Sequence, residues 1–116
     1  MEYRAQFPIE FVSRIDSIVP RSALEAYAGH RLFFALRRFR SSIRKVTVRL
    51  TDQNGPRHGV DIRCVIAMHL HQGGALLVEA TSAWPTAAIT AAAGRLTRTM
   101  RRRLARQHAR HRRAAA

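Results

Sequence analysis

A chain of 116 residues has the size of one domain, and a hydrophobic share of 47% lets it bury a core without metal or disulfide staples. That composition excludes a disordered body, and no apolar run reaches the ~18 residues that a transmembrane helix needs. Against 21 Lys plus Arg stand 7 Asp plus Glu, a formal charge of +14 that disfavours an ordinary metabolic enzyme and favours a polyanionic partner, nucleic acid or an acidic membrane surface.

Tyr3, Ala5, Phe7, Ile9 and Phe11 alternate with Arg4, Gln6, Pro8 and Glu10, the period of a half-buried strand. Pro8 cannot donate to a ladder, so this strand is expected at a sheet edge. Asp16, Ser17 and Pro20 supply helix-start chemistry, and Leu24, Ala28, Leu32, Ala35, Leu36 and Phe39 then follow at helical spacing over about twenty residues. The far side and end of that helix carry Arg31, Arg37, Arg38 and Arg40, favourably near the negative end of its dipole. After Ser41 and Ser42, Val46, Val48 and Leu50 alternate with polar neighbours as a second strand. The cluster from Asp52 to Gly59, with Asn54-Gly55 at its centre, predicts a tight hairpin. A third strand is expected from Val60 to His71, with Ile62, Cys64, Ile66, Met68 and Leu70 on one face. Gln72, Gly73 and Gly74 turn the chain into a fourth strand, where Leu76, Val78 and Ala80 share a face. Trp84 is expected to cover the end of the core, and exposed there it could stack on a base. Pro85 suits a first helical position, and Ile89, Ala92, Ala93, Leu96, Met100 and Leu104 follow at helical spacing.

The resulting α+β order is β-α-β-β-β-α: a four-stranded mixed sheet whose first strand, reached through a helical crossover, pairs parallel with the second, with both helices packed on one face. Residues 1–106 are expected to form the single domain. Residues 107–116 are expected to be a basic C-terminal tail or a frayed helix end.

The charge is uneven. Residues 1–80 hold 12 basic residues and all 7 acids, whereas residues 81–116 hold 9 arginines and no acid. All the cations but Lys45 are arginine, whose planar fork binds phosphate bidentately and stacks on bases. In the second helix Arg95, Arg98, Arg102, Arg106, Arg110 and Arg113 recur at three- and four-residue spacing, with Arg101, Arg103 and Arg112 beside them. A solvated face normally mixes both signs, and like charges stacked four apart cost stability, so a polyanion that relieves the repulsion is the more economical reading. Arg31, Arg37 and Arg38 extend the same patch if the helices lie side by side.

Other chemistry is poorly supported. His58, His69, His71, His108 and His111 lack metal-ligand spacing, Cys64 falls on the opposite strand face from His69 and His71, and no metal is expected. The acids are scattered and there is no Gly-x-Ser-x-Gly, His-Glu-x-x-His, P-loop or Gly-x-Gly-x-x-Gly pattern, so neither an enzyme, a cofactor nor a small-molecule substrate is expected. The single cysteine permits no internal disulfide and the N-terminus lacks a signal-peptide layout, which together predict a cytoplasmic protein. Residues 95–113 carry too little apolar area to insert into a membrane surface.

The element order, the stretch Leu50-Thr-Asp-Gln-Asn-Gly-Pro-Arg-His-Gly-Val-Asp-Ile-Arg-Cys64, and the helix opening Ala87-Ala-Ile-Thr-Ala91 running into Arg95-Leu-Thr-Arg98 resemble the ribosome hibernation-promoting factor and ribosome-associated inhibitor family. The resemblance covers nearly the whole chain. It implies a translation-silencing protein, held in the small-subunit channel for messenger and transfer RNA by basic residues of both helices and monomeric when bound. The matching positions are Arg31, Arg95, Arg98, Arg102 and Arg106, where family members usually have Lys or Arg. Departures are Glu25, Gly29, the apolar pair Phe33-Phe34 where the family has polar helix residues, and Thr86 in place of an aromatic. Longer members carry a second domain that pairs ribosomes, so a short form that occupies the subunit is expected. The alternative is a general RNA-binding module like the double-stranded-RNA domain, which lacks the first strand and places its cations at the start of its last helix.

Overall fold

In the computed structural model the described residues are 7–53 and 61–115. The elements are β1 (Ile9–Arg14), α1 (Arg21–Leu36), a 3-10 segment (Arg37–Ser42), β2 (Ile43–Asp52), β3 (Ile62–Leu70), β4 (Ala75–Ser82) and α2 (Pro85–Ala115). This is the predicted β-α-β-β-β-α order, in a sheet ordered β1-β2-β3-β4. β1 pairs parallel with β2, and the other two pairings are antiparallel. The expected strand positions Tyr3 and Ala5, the Asn54-Gly55 turn, His58 and Val60 lie outside the described residues.

β1 starts at Ile9, later than its alternation suggests, and runs on to Arg14. It occupies an edge, as Pro8 requires: the Pro8 carbonyl accepts from the Val46 N–H at 3.0 Å, a bond that asks no donor of the proline. Of the three start signals Asp16, Ser17 and Pro20, it is Pro20 that stands at the start of α1. Pro20 stands at the N-cap with extended backbone, and its carbonyl accepts from Ala23 and Leu24 at 3.0 and 3.1 Å. The Ser17 hydroxyl accepts instead from the Val19 N–H, at 3.1 Å. At the other end α1 tightens into the 3-10 segment, which carries Arg37, Arg38 and Arg40 past the helix proper.

Alternation in the central strands is read as expected. Val46, Val48 and Leu50 of β2 and Ile62, Cys64, Ile66, Met68 and Leu70 of β3 all face the core, in a register that sets Leu50 opposite Cys64 and Val48 opposite Ile66. His71 falls beyond the end of β3, in the turn whose Gly73 and Gly74 adopt φ values of +92° and +81° that only glycine takes without strain. Both helices cover the buried face: Leu24, Ala28, Leu32 and Leu36 of α1 and Ala88, Ile89, Ala92, Ala93, Leu96 and Met100 of α2 join one cluster with the strand residues. Tyr27 and Thr90 tie the helices together through a 2.6 Å hydroxyl contact. Trp84 does not cover the core end. It is 71% exposed, because the adjacent Pro85 takes the buried position.

α2 has 31 residues, about 46 Å of helix at 1.5 Å per residue, and its buried residues end at Met100. The molecule accordingly extends 59 × 33 × 19 Å. Among the described residues no helix is long and apolar enough to cross a membrane.

Candidate nucleic-acid interface

Strand directions decide where the cations gather. β1, β2 and β4 run one way, and each helix returns the other way, so α1 and α2 are parallel and their C-terminal halves share one end of the molecule. The β3–β4 turn lies at that end too, where the Arg103 guanidinium donates to the Gly73 carbonyl. Ser41, Ser42, His71, Arg103 and Gln107 line a common depression there. Positive side chains at the C-termini of two helices also oppose the negative ends of both macrodipoles.

Arg31, Arg37, Arg38, Arg95, Arg98, Arg102 and Arg106 are all exposed. Arg31 of α1 and Arg98 of α2 line one groove between the helices, together with Phe34, Ala35, Ala93, Gly94, Thr97 and Arg101. Arg37 and Arg38 continue from this groove along the 3-10 segment, their guanidinium carbons 5.7 Å from the Phe34 ring centroid and 5.6 Å from that of Phe39. Arg102 reaches the Thr99 hydroxyl at 3.3 Å. Arg95 and Arg106 sit toward β4. Arg95 donates to the Glu79 carbonyl at 2.7 Å, and Arg106 lines a shallow site with Leu76, Thr99, Arg103 and Arg110. The seven arginines therefore form a band rather than a single pocket: a groove portion around Arg31 and Arg98, and a flank along α2 over the edge strand.

Arg101 belongs to the groove and was not singled out by spacing. Its signal is the small pair Ala93-Gly94 followed by Thr97, which marks the side of α2 that α1 approaches and on which Arg101 also falls. Acids sit elsewhere. Glu25 pairs with Arg21 at 3.1 Å on the first turns of α1, Glu10 with Lys45 at 3.9 Å and Glu79 with Arg63 on the outer sheet face. α2 itself contains no carboxylate.

Cys64 is enclosed in the core, and burial pushes its thiol up from 9.0 to about 12. It holds no thiolate near neutral pH and cannot serve as a nucleophile there. A thiol-exchange reagent at pH 8 is expected to leave it unmodified until the chain unfolds. The unfolded thiol ionises near 9 and the folded one near 12. Its share of stability is therefore full below pH 9 and lost as pH rises toward 12. Urea midpoints of Cys64→Ala between pH 8 and 11 should decline less steeply than those of the parent chain. Among the described residues no three His, Cys, Asp or Glu side chains are grouped to hold a metal.

No family model matches the chain, and no curated protein matches it in sequence. Solved structures do match. The Protein Y N-terminal domain of Thermus thermophilus superposes with a TM-score of 0.63 at 23% identity, covering 85% of this chain and 97% of that one. A ribosomal subunit interface protein of Coxiella burnetii gives a TM-score of 0.65 at 14% identity, covering 84% of this chain and 97% of the other. The chain thus has the fold of these two proteins over almost the whole of theirs.

Proposed function

We propose that the protein is a ribosome-associated inhibitor of translation, which binds small-subunit ribosomal RNA through Arg31, Arg37, Arg38, Arg95, Arg98, Arg102 and Arg106 and keeps messenger and transfer RNA from their channel. The observation that carries this reading is the gathering of arginines from both helices at one acid-poor end of the molecule. The likeness in fold to a ribosomal subunit interface protein supports it. The act is steric exclusion and involves no bond making, so neither a cofactor nor a small-molecule substrate enters it. A single copy occupies the site, in the cytoplasm, with the turns of α2 beyond Arg106 as a basic extension.

A double-stranded-RNA module is the weaker reading. β1 pairs parallel with β2, a strand that such a module lacks, and α2 opens on Pro85, Thr86 and Ala87 with no cation before Arg95. Sedimentation with purified small subunits tests the proposal. The protein is expected to travel with the subunits at low salt. Association should fall steeply as salt rises, because contact with about five to seven phosphates gives a log–log slope of roughly −4 to −6. A protein that stays at the top of the gradient at low salt excludes the ribosome as its partner.

A further inference from the structure

The groove between α1 and α2 contains an aromatic side chain among its arginines. Phe34 is 46% exposed and lines the groove with Arg31, Arg98 and Arg101. Its ring is held by neighbours close in the chain: on α1 His30 tilted at 4.9 Å and Phe33 edge-on at 5.2 Å, and from the 3-10 segment the Arg37 guanidinium carbon at 5.7 Å. The floor is made of Ala93, Gly94 and Thr97, whose small side chains leave a slot beside the ring. Among the described residues no carboxylate lines it. Even with these neighbours nearly half of the Phe34 side chain faces solvent in the groove, and phosphate binding alone has no use for an aromatic ring there. Fixed aromatic rings beside arginines do suit one ligand: an unpaired nucleotide, whose base stacks on the ring while its flanking phosphates meet the guanidinium groups.

We infer that the α1–α2 groove is a binding site for a single unstacked nucleotide of RNA, with Phe34 as the stacking surface and Arg31, Arg98 and Arg101 on the adjoining phosphates. The inference rests on the arginine band being an RNA-binding face, and it gives that face a preference for single-stranded or bulged RNA over continuous duplex. Stacking tolerates any base, so the site selects unpaired structure rather than sequence.

The test compares the full chain with Phe34→Leu, which keeps apolar volume and removes the aromatic face, and with Gly94→Leu, which fills the slot. A Cβ at Gly94 meets nothing closer than an Arg98 guanidinium nitrogen at 3.5 Å, so the backbone there accepts a side chain, and an unchanged thermal midpoint of the variant checks that the helices stay packed. Probes are a ten-nucleotide single-stranded RNA, the same backbone with abasic residues, and a duplex RNA. Both variants are expected to lose about tenfold in affinity for the base-bearing single strand, the effect of one base–aromatic stack, while binding the abasic strand and the duplex as the parent does. Equal affinity of Phe34→Leu and the parent for the base-bearing strand overturns the stacking site while leaving the arginine face standing. Failure of the parent chain to bind any of the three probes overturns both. If the parent fails to sediment with small subunits yet retains Phe34-dependent binding of the single strand, the nucleotide site stands and the ribosome assignment falls.

Discussion

Replacing Arg31, Arg98 and Arg102 together by alanine is expected to lower affinity for small ribosomal subunits about 100-fold at moderate salt and to flatten the salt slope by about two to three units. The three come from both helices and are all exposed, and none forms an ion pair with a described carboxylate. Among the described residues no ion pair of the fold depends on their charge. Their removal relieves repulsion among stacked arginines, so the thermal midpoint should stay nearly unchanged or rise slightly. Lys45→Ala, Arg49→Ala and Arg63→Ala together remove equal charge from the outer face of the sheet and should leave subunit binding close to that of the parent. If both sets of substitutions weakened binding equally, net charge and not the helical face would be the determinant. A large fall in midpoint for the helix variant would make those side chains structural.

Leu96→Ala carries the largest expected effect on stability, a loss of about 3 kcal/mol. Leu96 is fully buried where α2 lies on the sheet, and α2 contacts β3 and β4 through a stripe otherwise made largely of alanine, Ile89 and Met100. Alanine offers little to fill a void at that place, so the site cannot collapse cheaply. For a domain whose whole stability is about 5–15 kcal/mol, this is a substantial fraction. Urea unfolding should show a lower midpoint with an unchanged slope. Under conditions where the variant is still folded its RNA affinity should match the parent, because Leu96 points away from the arginine band. Saturating RNA should recover part of the lost midpoint by mass action. A loss below about 1 kcal/mol would mean that α2 is not seated on the sheet as described.

Much of the framework is legible in the chain because it rests on local periodicity. Cys64, Ile66 and Met68 alternate, as do Val46, Val48 and Leu50, and each set appears buried on one sheet face. Leu24, Ala28 and Leu32 recur every four residues and form the buried stripe of α1. Pro8 marks an edge because a missing donor has the same meaning wherever the strand lies. What misleads is end chemistry. Asp16 and Ser17 resemble a helix cap, yet the chain starts the helix on Pro20, and Trp84 reads as core when Pro85 beside it takes that place. Such ends depend on which neighbouring group reaches the free backbone donors first, and that competition has no periodic signature.

The sequence by itself determined that this is a small α+β domain with an acid-free arginine helix. Hydrophobic period and charge sign are properties of the chain before it folds. Only the tertiary structure decided which arginines act together. Parallel helices place Arg31 beside Arg98 and bring Arg101 and Phe34 into the same groove, whereas Arg95 is drawn aside to the Glu79 carbonyl of the edge strand. That grouping follows from the direction of each strand and the angle at which two helices meet over one sheet. Residue spacing along either helix contains neither.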